Sequence, residues 1–302
     1  MAGLALKLAA AVLALSQGQA AHAQPVLPVA AEIDIIKTGS DRDRRMTVPV
    51  RIGQNDTFNF VIDTGSQSTV VSHDVALRMA LPPARRARIV GIGGSEIAET
   101  ATVAQMGLGR RSFSNVEVVL FEARHIGADG IVGIDSLQRQ RVLLDFARNQ
   151  LQVGDARGLG GNTGFDIVVT ARRRLGQLIM TDAVIDGVNA SVVIDTGAET
   201  SVANRALQRA LNRRRSNEMV TLVSVTGQTT TAELGYPSKL SIGAFDITNL
   251  VVAYADTPVF DVLELSRRPA LLLGMRELRL FKRVAIDFAA RKVYFDLPGG
   301  RR

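Results

Sequence analysis

A chain of 302 residues, 46% of them hydrophobic, holds enough apolar material for one or two packed domains. It has no Cys, which excludes a disulfide framework and a lipid-anchored Cys. Its formal net charge of +7 is basic, but Trp is absent and aromatics make up 5%, so a nucleic-acid surface built on base stacking is not expected.

The chain opens with MAGLALKLAAAVLALSQGQAAHA, with one Lys, an apolar stretch from about Leu8 to Leu15 and a small-x-small ending at Ala21-His22-Ala23. This predicts a signal peptide over 1–23, cleaved after Ala23, and a periplasmic or secreted mature protein. The apolar part is too short to span a bilayer, and no later stretch is long and apolar enough, so no membrane span is expected. Residues 24–45, ending in DRDRR, read as a leader or short pro-segment, with an edge strand over Ile33 to Ile36 as an alternative.

From Met46, MTVPVRIGQNDTFNFVID reads as strand, turn and strand, with Gly53 and Asn55 in the turn. The strand leads into FVIDTGSQSTVVS, residues 60–72, and the pattern turns helical from His73 to Ala80 until Pro82-Pro83. RIVGIGGSEIAET, 88–100, carries Gly91, Gly93 and Gly94 around Ile92 but fits neither a phosphate loop nor a dinucleotide fingerprint. DGIVGIDSL and VLLDFARNQLQV, 142–153, close a first unit assigned to 46–154. GDARGLGGNTG, 154–164, marks a flexible connection, and the linker is assigned to 155–165.

A second unit, 166–298, repeats the order, and 299–302 form a tail. MTDAVIDGVNASVVID, with Gly187 and Asn189 in its turn, leads into VVIDTGAETSVAN, 192–204, and a short helix from Asn204 to Asn212. VSVTGQTTTAE, 223–233, has a single Gly227 where the first unit has three glycines. LLLGMREL and VAIDFAARKVYF, 284–295, complete the copy. Self-similarity of this length means duplication. Alternation and Gly/Asn turns elsewhere make the chain mostly β.

Each copy carries one carboxylate, Asp63 or Asp195, at the inner end of an apolar run. A buried carboxylate is costly unless compensated. Singly, each reads equally well as an acceptor that holds the following turn. If the copies pair about a pseudo-twofold axis, the two acids meet, and carboxyls in contact share a proton. Such a pair acts as base and acid together: one member takes a proton from water while the other polarises a carbonyl.

On the two DTG loops, the later Ile131-Val132-Gly133 and Leu272-Leu273-Gly274, and the two closing hairpins, the chain resembles the aspartic proteases of the pepsin and retroviral-protease group over most of 45–297. The resemblance implies two homologous retropepsin-like closed β-barrel lobes related by a pseudo-twofold axis, with short helices. It implies an aspartic endopeptidase acting on a peptide or protein in the cleft, with no cofactor and no metal, as a monomer that is its own pseudo-dimer. Asp63 and Asp195 become the catalytic pair, sharing one water. Thr64 and Thr196 exchange hydroxyl-to-backbone bonds between lobes, and Gly65 and Gly197 leave room beneath the acids. Gly91, Ile92, Gly93 and Gly94 form the principal flap, a mobile hairpin tip, and Gly227 sits in the second.

Ser66 has a hydroxyl where Ala198 has none. A donation from Ser66 to Asp63 predicts an unequal pair with Asp63 the readier anion, an optimum less acidic than two such donors would give, and an acid shift in Ala198→Ser. Ser72-His73-Asp74 has triad residue types, but sequence neighbours point apart. Asp145 and Asp287 are expected to be structural acceptors. A peptide-binding or assembly module without turnover is the alternative function, and two-carboxylate sugar hydrolysis lacks aromatic platforms.

Overall fold

The computed structural model describes residues 33–54, 56–138, 140–155, 159, 164–211 and 218–299, and the backbone of 5–7 and 13–14. The junction after Ala23, Asn55, most of the linker, the Arg213-Arg214-Arg215 cluster and the end of the tail lie outside the described residues. The chain is mostly strand with a few short helices.

In the first lobe, Met46–Ile52 and Asp56–Ile62 form an antiparallel hairpin, and the second strand ends in three buried residues that carry the chain inward to Asp63. Gly130–Val132 lies parallel to that strand, with Val132 beside Ile62. It also pairs antiparallel with Val70–Ser72, which receives Arg111–Phe121 in parallel on its other side. The second lobe repeats this: Ala270–Leu273 runs parallel to Val188–Ile194, and Val252–Tyr254 parallel to Ser201–Ala203. Val/Ile/Leu-rich strands buried on both faces suit such parallel pairing. Ser72 and Asn204 cap the helices His73–Arg78 and Arg205–Ala210, so the Ser72 hydroxyl accepts from the Val75 amide rather than entering a triad.

The closing hairpins join the lobes. Arg141–Asp145 pairs antiparallel with Arg283–Asp287, extending into Gln150–Gly154 on one side and Lys292–Asp296 on the other. Leu143 faces Ala285, the matching residue of the other copy, so the pseudo-twofold axis passes between them. Asp145 accepts from the Arg148 amide and Asp287 from the Ala290 amide, and both hold their hairpin turns. The inter-lobe sheet ends on Asp34–Lys37, which pairs with Gln150–Gly154, and Gly39–Ser40 pairs with Met46–Ile52. Residues 34–37 thus form the edge strand expected as the alternative for this segment, at the margin of the inter-lobe sheet.

Candidate active site

The apolar-apolar-Gly segments set the two acidic loops. The Asp63 amide donates to Val132 O at 3.1 Å and the Asp195 amide to Leu273 O at 3.0 Å. Gly133 and Gly274 let these segments press on the loops: a Cβ at Gly133 would lie 2.5 Å from the Ser68 carbonyl carbon, and one at Gly274 would lie 2.9 Å from Glu199 O.

Thr64 and Thr196 lock the loops across the axis. Each amide donates to the other's Oγ1, at 3.0 and 3.3 Å. Each hydroxyl donates to a carbonyl of the opposite lobe, Thr64 to Ile194 O at 2.9 Å and Thr196 to Ile62 O at 2.7 Å. Asp63 and Asp195 are thereby brought together, buried to 0% and 1% exposure and close enough for each to act on the other's charge. Among the described residues no group donates to either Oδ2. Gly65 lies against Asp195, and a Cβ there would fall 2.7 Å from its Oδ1.

The acids are unequal. Asp63 Oδ1 accepts from the Gly65 and Ser66 amides at 2.8 and 3.0 Å, and Asp195 Oδ1 only from the Gly197 amide at 3.1 Å. Burial pushes Asp63 up to about 7, opposed by those amides and the Arg45 charge. Burial, and then the negative charge of Asp63, push Asp195 well above the usual carboxylate range. Two amide donors against one favour the negative charge on the Asp63 side of the pair. The source of the inequality differs from the hydroxyl donation expected of Ser66. Its Oγ donates to Ser68 O at 2.7 Å, satisfying a carbonyl of its own turn, and only its amide reaches Asp63. Ala198 is buried in the second lobe's apolar cluster.

Two residues that sequence reasoning missed brace the loops from beneath. Arg45, the last of DRDRR, is 1% exposed and donates to Gly197 O at 3.4 Å. Gln177 is equally buried and donates to Gly65 O. A third, Asp135, accepts from the Thr69 amide and hydroxyl at 2.8 and 2.7 Å and holds the stretch after the first loop. Its position two residues after Gly133 was the available signal.

The segments expected to serve as flaps are hairpins, Pro83–Gly91 with Gly94–Leu108 and Met219–Val223 with Thr229–Gly235. Each tip is seated in the opposite lobe. Val90 and Ile92, 1% exposed in the latter case, pack with Ile179, Val193 and Phe260 of the second lobe. Val225, from the second tip, packs with Val61, Val70 and Ile131 of the first. Gly93 meets Gln228, and Gly227, at a φ of 82°, meets the His125 ring. The Ile92 side chain is thus anchored in protein, in an apolar socket of the second lobe.

A cavity of about 460 Å³ opens at Gln67 and Ser68, a few residues along the chain from Asp63, walled in part by Arg85, Glu117, Asp135 and Gln138. Among the described residues no three His, Cys, Asp or Glu side chains gather to hold a metal ion, and no helix is long and apolar enough to cross a membrane.

Two β lobes with one acid each, joined by reciprocal threonine bonds, define an aspartyl-protease-like architecture. The aspartyl protease family model matches residues 48–136 and 181–276, one stretch per lobe, and the chain belongs to this family. A comparison with curated proteins returns no match.

Proposed function

We propose that the chain is an aspartic endopeptidase that hydrolyses peptide bonds with a water activated by Asp63 and Asp195. The observation that carries this reading is the buried juxtaposition of the two acids on loops locked together at the lobe junction. Asp63, with two amide donors, is the base that takes a proton from water as its oxygen attacks the peptide carbonyl carbon. Asp195, holding the proton, hydrogen-bonds the carbonyl oxygen and stabilises the charge that develops there. One chain supplies both acids, so a monomer acting as its own pseudo-dimer suffices.

The substrate is an extended peptide or protein segment between flaps and acids. Backbone pairing of Ala5–Lys7 with the second flap and of Leu13–Ala14 with the first supports this, since both flap edges accept an added strand. The cavity at Gln67 mixes apolar and charged walls, with Arg85 paired to Glu117 at 2.8 Å, and suits a polar side chain next to the cut. The N-terminal pattern supports work in the periplasm or outside the cell after removal of 1–23.

Incubating the protein with a peptide library, with and without a statine-type inhibitor, tests the assignment. Inhibitor-sensitive cleavage that disappears in Asp63→Asn and Asp195→Asn is expected. Binding without cleavage would instead identify a peptide-binding module.

A further inference from the structure

Arg45 is a cation in an unusual place. Its Nε donates to Asp41 Oδ2 at 2.7 Å, its Nη2 to Asp41 Oδ2 and Ile126 O, and its Nη1 to Gly197 O at 3.4 Å, on the loop that carries Asp195. Gly127 closes the space beside it, where a Cβ would lie 2.8 Å from Nη2.

Strand register identifies its counterpart. Thr47 faces Val61 and Ile179 faces Val193, each two residues before an acid. Two residues back along each strand stand Arg45 and Gln177. Each reaches across the axis to the carbonyl of the opposite Asp-Thr-Gly glycine, Arg45 to Gly197 O and Gln177 to Gly65 O. The same latch is built twice, once charged and once neutral.

We propose that Arg45 is a positioning residue that sets the charge state of the Asp63/Asp195 pair, with Gln177 as its uncharged mirror. The proposal rests on the pair being the hydrolytic centre. A guanidinium fixed beneath one loop stabilises a single negative charge on the pair and leaves the two sides electrically unequal. Its positive charge opposes the upward push of burial on both acids. Around the guanidinium stand Asp41, its partner, and Asp43 at 3.8 Å. Arg44 follows along the chain, and Arg279 reaches Arg44 O from the second lobe, with Glu199 beside it. Asp41 holds the guanidinium in place, while Arg45 is the charged group outside the pair that acts on both acids.

The test compares the full chain with Arg45→Lys, which keeps the charge, and Asp41→Asn/Arg45→Gln, which removes charge and closest partner together and leaves Asp43, half-buried at 3.8 Å, as the carboxylate that loses the guanidinium. Gln177→Arg, a second cation on the other latch, is an independent arm. Readouts are kcat and KM against pH on a cleaved peptide, and carboxyl-carbon NMR titration of Asp63 and Asp195.

The double variant should move the acid limb of kcat up by roughly one pH unit, a loss of about tenfold on that limb, with KM little changed. Arg45→Lys should overlay the wild type, and Gln177→Arg should move the limb down. Lower kcat at every pH with the limb in place, or an unmoved limb in Gln177→Arg should the double variant not fold, overturns the proposal and leaves the hydrolytic reading standing. A wild type that cleaves nothing defeats that reading, and the carboxyl titration then still decides what Arg45 does to the pair.

Discussion

The Thr196 hydroxyl accepts the Thr64 amide and donates to Ile62 O, and Thr64 returns both bonds. Thr64→Val keeps the shape but leaves the Thr196 amide and Ile194 O without partners inside the protein. Each stranded buried group costs about 1–3 kcal/mol. Thr64→Val is expected to lower both the unfolding midpoint and kcat, and Thr64→Ser to retain most of both; denaturant melts beside kinetics provide the check.

Burial raises the folded-state pKa of Asp63 to about 7, and that of Asp195 well above its ordinary value. Between the ordinary carboxylate range and about 7 the folded protein thus holds more protons than the unfolded chain, and this contribution to stability declines as pH rises through that window. Asp195→Asn removes one of the two acids. Its Tm should exceed that of the wild type on the alkaline side of the window and converge with it in acid. A gain of 1 kcal/mol corresponds to roughly 2–4 °C in a chain of similar size. Calorimetry at paired pH values would contradict the argument if the order were reversed.

Ser66 Oγ is engaged with Ser68 O, not with the acid. Ser66→Ala should therefore leave the pH-rate profile in place while lowering stability by about 1 kcal/mol. A hydroxyl introduced by Ala198→Ser has Thr200 O at the matching position and should likewise leave the limbs unmoved. A displaced acid limb in either variant would restore the hydroxyl as a donor to the pair.

Ile92 fills a socket in the second lobe. Truncating a buried Ile to Ala removes about 2–5 kcal/mol, and here the loss falls on the seated flap. Ile92→Ala should speed limited proteolysis between residues 91 and 94 and raise KM by about tenfold or more. Val225→Ala should act in the same direction from the other side. Unchanged nicking in both variants would show that the tips are held by something else.

Arg141 and Asp287 form a buried pair at 2.9 Å between the lobes, with the guanidinium 4.3 Å from the centre of the Tyr294 ring. Removing one partner from such a pair costs about 3–5 kcal/mol because the other charge is left buried. Arg141→Met is expected to lower stability by that order, and Arg141→Met/Asp287→Asn to recover much of it while keeping an acceptor for the Ala290 amide. Chemical unfolding of the wild type, both single variants, Arg141→Met and Asp287→Asn, and the double variant completes the cycle.

The duplication, both acids and the closing hairpins were legible because local pattern decides them: apolar runs that end in Asp-Thr-Gly, and strands two residues in period. Arg45 was not. A run of alternating charges reads as a solvated segment, and what makes burial tolerable combines Asp41 within the run with Ile126 and Gly197, far away in sequence. The seats of Ile92 and Val225 were hidden for a related reason, since an apolar tip looks the same whether it faces substrate or a neighbouring lobe. Ser66 shows the remaining limit: its residue type admits two acceptors, and side-chain rotation alone chose between them.

The exchange of tips and latches means that neither half is complete in isolation. A one-lobe ancestor would have needed an identical twin to fill its sockets, and every change in it would have struck both sides at once. Fusing the twins releases that constraint, and the arginine on one side facing a glutamine on the other is the kind of inequality that only a tandem gene can write.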